Sequence, residues 1–269
     1  MLSLKPAHAA LLLATLFALP AIAQDRAKNV ILFFGDGVGI TSLHAARIHG
    51  HKEPQKLYLQ SMPYLAFADT TSLSHWVTDA GAGSTAMATG RKTANRMLSA
   101  YPPGANGTFT AKTLLDYAEE RGLSTGLISD ANIANPLVSA FYARQDNRSQ
   151  IDEVFMQILS PRFGDGVDIA IGPGKAPISS GTASAELAEK FSAKGYVLSA
   201  SIAGLSKSAS LRNVVLLESS EFDLNAALDK TIEKLSRNPK GYFLVVHVDC
   251  HRPRVSTRWL GAFRCGEGR

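Results

Sequence analysis

Cysteine is almost absent from this chain, and the shortage excludes several classes of protein at once. Only Cys250 and Cys265 occur. Two are too few for a disulfide framework, and no C-x-x-C spacing supports a zinc ribbon or a redox pair. No G-x-S-x-G is present, so the sequence encodes no nucleophile elbow. Gly81-x-Gly83-x-x-Ala86 has no strand immediately before it, which argues against a dinucleotide site. Cations exceed anions by a formal +5, yet no basic stripe interleaved with aromatics runs through the body of the chain. That excess can attract anions without being a nucleic-acid footprint. After the first residues there is no apolar run long enough to cross a bilayer.

The composition that remains, 45% hydrophobic and 19% charged, is that of a globular domain with one large core. Residues 1–23 read separately, as a secretory signal. Lys5 gives a positive start, Ala9 to Leu19 is apolar but short, and Ala21-Ile22-Ala23 gives a small-x-small cleavage pattern before Gln24. The expected product is soluble and exported, to the periplasm or the medium.

One stretch organises the rest: Val77-Thr78-Asp79-Ala80-Gly81-Ala82-Gly83-Ser84-Thr85-Ala86-Met87-Ala88-Thr89-Gly90-Arg91-Lys92-Thr93. Tiny residues let backbone amides approach a ligand closely, as at a helix N-terminus that receives an anion. A small-residue helix packed tightly on a sheet is the plainer reading. Upstream, Asn29 to Phe34 is continuously apolar and reads as a fully buried strand. Gly35-Asp36-Gly37-Val38-Gly39 breaks it, and Ile40 to Ile48 can begin a helix. Asp36 thus stands at the carboxyl end of a buried strand, where open α/β sheets place their ligands. It suits a zinc or magnesium ion, or else caps the helix that follows. His44, His49 and His51 are spaced for one solvated helix face, and His75 precedes the key stretch.

Further along, Ser61 to Ser74 alternates loosely and predicts a strand pair. Ala111 to Arg121 has helical spacing with Gly122 placed as its C-terminal stop. Leu123 to Ser129 is the next strand, which sets a βαβ rhythm and a parallel sheet. The alternation continues through a helix from Ile151 to Leu159 and a strand from Val167 into the glycine turn at Gly174. A helix from Glu186 to Gly195, a strand from Asn213 to Leu217 and a helix from Asn225 to Leu235 follow. Gly241 to Val246 is the last buried strand, delivering His247-Val248-Asp249-Cys250-His251 at its carboxyl end. Alternate positions of an extended chain share a face, so His247, Asp249 and His251 could converge on one metal.

Asn29 to Gly39 and Val77 to Thr93, in this order, resemble the alkaline phosphatase family, whose first strand ends in a metal-binding aspartate. The family's nucleophile segment is usually written T-D-S followed by small residues and A-T-G. The resemblance runs from about Asn29 to His251. It implies an α/β fold with a mostly parallel central sheet and helices on both faces. It also implies hydrolysis of phosphate monoesters with zinc and magnesium, and a homodimer. Asp36 falls at the metal aspartate, Asp79 at the motif aspartate and Arg148 at the phosphate-clamping arginine, whose guanidinium fork suits two phosphoryl oxygens. A surface arginine after a helix is the plain alternative for Arg148.

The departures are as informative. Ala80 occupies the position of the nucleophilic serine and has no oxygen. Ser84, the nearest substitute, lies four residues on, just over one helical turn of about 5.4 Å. Asn135 and Leu137 fall where the family offers ligands to a third metal, and Leu137 cannot ligate. His247 replaces a magnesium-binding glutamate, with Asp249 and His251 beyond it in the place of zinc ligands. The reading divides the chain into a signal (1–23), an incomplete α/β domain (24–251) and an arginine-rich tail (252–269). The tail reads as a truncated or frame-shifted end, or as a short native one. The expected activity is an impaired phosphomonoesterase, and the alternative is a non-catalytic exported binder of metal or phosphate.

Overall fold

A computed structural model describes residues 27–53, 57–101, 111–174 and 183–249; the signal-like segment, the tail, Cys250 and His251 lie outside them. Six strands form one sheet: β1 (Val30–Asp36), β2 (Ser124–Ser129), β3 (Ile169–Pro173), β4 (Val197–Ser199), β5 (Asn213–Leu217) and β6 (Tyr242–Asp249). Their spatial order is β1-β6-β2-β3-β5-β4, and every adjacent pair runs parallel. The helices are α1 (Ile40–His51), α2 (Ala80–Thr89), α3 (Leu114–Glu120), α4 (Pro136–Ser139), α5 (Ile151–Met156), α6 (Ala183–Ala193), α7 (Ile202–Lys207) and α8 (Leu224–Leu235). Among the described residues, no helix is long and apolar enough to cross a membrane.

The sheet separates two apolar layers. Phe243 and Val245 of β6 join Phe34, Leu127 and Phe141 on one side, while Leu244, Val246 and Val248 join Leu205, Ala227 and Leu235 on the other. Continuous apolar strands are what burial on both faces requires, and β2, β5 and most of β6 are buried residue by residue. Phe141 is fully buried, with its ring 5.8 Å from Phe34 and 6.1 Å from Phe243. Truncating it leaves a void between two rings. Phe141→Ala should lower stability in urea unfolding by about 3–5 kcal/mol, and a loss under 1 kcal/mol would mean that the layer collapses to fill the gap.

Local sequence explains the helix ends. Gly122, at φ +68°, donates to Glu119 O while Leu123 donates to Ala118 O; Gly195, at φ +79°, and Tyr196 repeat the pattern after α6. These are Schellman stops, and only glycine takes their left-handed position without strain. Two expectations need correction. Ser61 to Ser74 forms no strand, only a 3-10 turn at Tyr58–Ser61 followed by irregular chain. Loose alternation there has no sheet face to bury, and Tyr64 and Phe67 stand more than 90% exposed. β1, expected to be fully buried, is an edge strand with Phe33 54% exposed, because β6 pairs with only one of its sides.

Candidate functional site

Parallel strands with helical crossovers gather their carboxyl ends at one edge of the sheet, and three neighbouring strands end there in acid. Asp36 closes β1, Asp249 closes β6, and Asp130 directly follows β2. Asp36 and Asp249 are register partners, as are Phe34 and His247, and Ser129 partners His247 from the other side. The His247 ring is fully buried. Its Nδ1 lies 2.9 Å from Ser129 Oγ, which also accepts the Ala131 N–H. Its Nε2 lies 3.8 Å from Asp36 Oδ2 and has no hydrogen-bond partner. With its proton on Nδ1, His247 would donate to Ser129 and turn a lone pair at Nε2 toward Asp36.

Asp36 is not the cap of α1. That N-cap is Gly39, with no side-chain capping bond. Asp249 is half-buried, and its N–H donates to Asp130 Oδ1 at 2.7 Å. Sequence reasoning passed over Asp130 and Ser129, although an acid ending each of three apolar runs was a visible signal. Among the described residues, no three His, Cys, Asp or Glu side chains form a group that could hold a metal ion as placed. His251, the remaining expected ligand, lies outside the described residues.

The second cluster stands at the mouth of α2, a helix whose other end contributes Ala88 to the layer beneath Phe34. Asp79 is its N-cap: Oδ1 accepts the Ala82 N–H at 2.9 Å and Oδ2 accepts the Arg96 N–H at 2.9 Å. Arg148 Nε forms an ion pair with the same Oδ2 at 3.3 Å. Gly81 makes this closeness workable, since a Cβ there would lie 2.9 Å from Met97 O and 3.3 Å from Arg148 Cδ. Arg148 and the motif segment, far apart in sequence, are thus neighbours, and half-buried Ala80 is the first residue of the helix between them. A guanidinium and the positive end of a helix at one place can receive an anion.

Ser84 is not placed to replace the missing oxygen. It is fully buried, and its hydroxyl donates back to the carbonyls of Ala80 and Gly81. Asn135 caps α4 by accepting the Leu137 N–H at 3.0 Å, and Leu137 is core. His44, His49 and His75 are exposed; His44 bonds Arg47 and His75 bonds Ser74.

Two buried acids with raised pKa values lie at the opposite, amino end of the strands. Burial pushes the Glu119 carboxyl up to about 8, with Asp168 and Asp165 adding to the rise. Burial likewise raises Asp168 to about 6, against the Thr125 N–H bond that lowers it.

Comparisons with known proteins converge on one family and one fold. A sequence model described as alkaline phosphatase matches residues 27–189. Alkaline phosphatase 3 of Bacillus subtilis (strain 168) is 26% identical over 243 residues, covering 83% of this chain and 51% of that protein. Streptomycin-6-phosphate phosphatase of Streptomyces griseus is 32% identical over 128 residues, covering 46% of this chain and 28% of that one. The alkaline phosphatase of the Antarctic bacterium TAB5 superposes with a TM-score of 0.69 at 20% identity, over 82% of this chain and 65% of that one. A variant of that enzyme was solved with magnesium bound in its M3 site. The Thermus thermophilus enzyme gives a TM-score of 0.70 at 23% identity, over 82% and 50% of the two chains. The chain spans about half the length of the two Bacillus relatives it matches, 51% and 52%. With the family model matched over most of its length and this sheet beneath it, the chain belongs to the alkaline phosphatase family.

Proposed function

We propose that this chain binds phosphate monoesters in a metal-assisted cleft of alkaline phosphatase type, and that its hydrolytic chemistry is impaired at Ala80. The observation that carries the reading is the convergence of Asp79, Ala80, Gly81 and Arg148 at the N-terminus of α2. Asp79 engages the Nε edge of Arg148, so the terminal Nη groups are the ones a phosphoryl group would meet. The orphaned, buried Nε2 of His247 facing Asp36 fits a metal-ligand role. Zinc held by Asp36, His247, Asp249 and His251, with magnesium as the family's other metal, would acidify an attacking oxygen and offset phosphoryl charge. Residues 24–251 would act as the α/β domain and 252–269 as a tail. The leader-like residues 1–23 support export to the periplasm or medium, and the family resemblance supports a homodimer.

A second reading, a non-catalytic binder of phosphate or metal, is favoured by two facts: Ala80 carries no oxygen, and the Ser84 hydroxyl is committed to its own helix. Calorimetric zinc titration of the metal-free chain, followed by aryl phosphate hydrolysis at alkaline pH, tests both. The parent should bind zinc, Asp36→Ala should bind it at least about tenfold more weakly, and parental turnover should lie near background. Robust parental hydrolysis that survives Asp36→Ala would sink the site.

A further inference from the structure

Arg96 is one of three non-glycine residues with positive φ among the described residues, at +74°. A side chain in the left-handed region is strained, and such strain persists where the surroundings over-determine the backbone. A turn closes across it, with the Met97 N–H donating to Ala94 O at 3.3 Å, and the remaining contacts of Arg96 concern Arg148. The Arg96 N–H donates to Asp79 Oδ2, the same oxygen that pairs with Arg148 Nε. The Arg96 carbonyl accepts the Arg148 N–H at 2.9 Å. Its guanidinium Nη2 then reaches Asn147 Oδ1 at 3.0 Å and Ser149 Oγ at 3.3 Å, the two residues flanking Arg148. Each bond of an exposed arginine is weak alone. Together they hold Arg148 by its backbone, by both neighbours and by the carboxylate it pairs with.

We propose that Arg96 is a positioning residue for Arg148, aiming its guanidinium at the anion received by the N-terminus of α2. The proposal rests on the phosphate-binding reading above. It assigns Arg96 no contact with the phosphoryl group: the Arg96 fork is turned toward Asn147 and Ser149. Its effect on ligand is therefore exerted through Arg148.

The test is a thermodynamic cycle with inorganic phosphate as probe, read by calorimetry on the full chain with zinc and magnesium present. Arg96→Gly keeps the main-chain bonds to Asp79 and Arg148, holds the positive φ without strain, and removes the fork. Arg148→Ala should weaken phosphate binding about a hundredfold, and Arg96→Gly about tenfold. The double variant should bind no worse than Arg148→Ala alone. Asn147→Ala, which removes one acceptor at the other end, should move binding in the same direction by less. Melting temperatures of Arg96→Gly and Asn147→Ala should stay within about 2 °C of the parent. Parental binding in Arg96→Gly beside a weakened Arg148→Ala overturns the positioning role and leaves the site standing. Additive losses in the double variant would mean that Arg96 meets phosphate itself, which also overturns it. Phosphate binding that is absent, or indifferent to Arg148→Ala, overturns the site reading and the proposal together.

Discussion

Replacing Ala80 with serine should raise aryl phosphate hydrolysis in zinc and magnesium at least about a hundredfold above the parent chain, close to 2.7 kcal/mol of barrier. The expectation follows from what is already assembled around the position. Residue 80 opens α2 and is half-buried rather than sealed, so an oxygen on its Cβ would stand at the positive end of the helix. Asp79 and Arg148 flank it, fixed to each other at 3.3 Å, with Gly81 sparing the space that a larger neighbour would fill. Nothing about the cap depends on residue 80 being alanine, because the capping oxygen belongs to Asp79. The substitution should therefore cost little stability. Adding Asp36→Ala to Ala80→Ser should abolish the gain, since the carboxylate facing His247 is the one assigned to the metal. A folded Ala80→Ser chain that stays silent would mean that the cleft lacks more than a nucleophile.

Much of this arrangement was legible in the sequence because its signals are local. The apolar runs of β2, β5 and β6 needed no partner to be recognised, and Asn213 to Leu217 is a strand over the residues its composition marks. Glycine stops at Gly122 and Gly195 announced the ends of α3 and α6 through a backbone demand that only glycine meets. Asp36 and Asp249 stood at strand ends by pattern, and the register of β1 on β6 sets them side by side.

What the sequence did not disclose depends on distant segments meeting. Arg96 has no signal of its own, since its meaning lies in Asn147 and Ser149, some fifty residues on. Ser84 looked available one helical turn from Ala80, but a serine inside a helix readily turns its hydroxyl to a preceding carbonyl, as this one does. The exposed face of β1 was invisible because an apolar strand reads alike at a sheet's centre and at its edge. The same limit hid the acids at the other end of the sheet. Glu119 sits in the last turn of α3 like any solvated glutamate, and only the fold brings Thr125, Gly166 and Asp168 around it.

That acid pair makes the second large prediction, a loss of stability toward alkaline pH. The Glu119 side chain is 6% exposed and its carboxyl is raised from 4.5 to about 8. Unfolded, it would release its proton near 4.5; folded, it keeps the proton until about 8. The native state therefore binds more protons across that interval, and stability falls as pH rises through it. Asp168, raised from 3.8 to about 6, acts in the same direction over a lower interval. Arg212 and Tyr196 also face this group, and the guanidinium partly offsets the rise at Asp168. Thr125 Oγ1 donates to Glu119 Oε1 at 2.6 Å, a bond that protonated Glu119 can reverse, while its other oxygen accepts the Gly166 N–H at 3.2 Å. A glutamine amide reproduces that pattern with no proton to lose. Glu119→Gln should match the parent at pH 5 and exceed it at pH 9 by on the order of 3 kcal/mol, or roughly 6–12 °C in melting temperature. Urea and thermal unfolding of both chains across pH 4.5 to 9 would read the difference. Parallel pH profiles would mean that Glu119 ionises in the folded protein as it does in water, and that the carboxyl is solvated through an opening at the amino ends of β2 and β3.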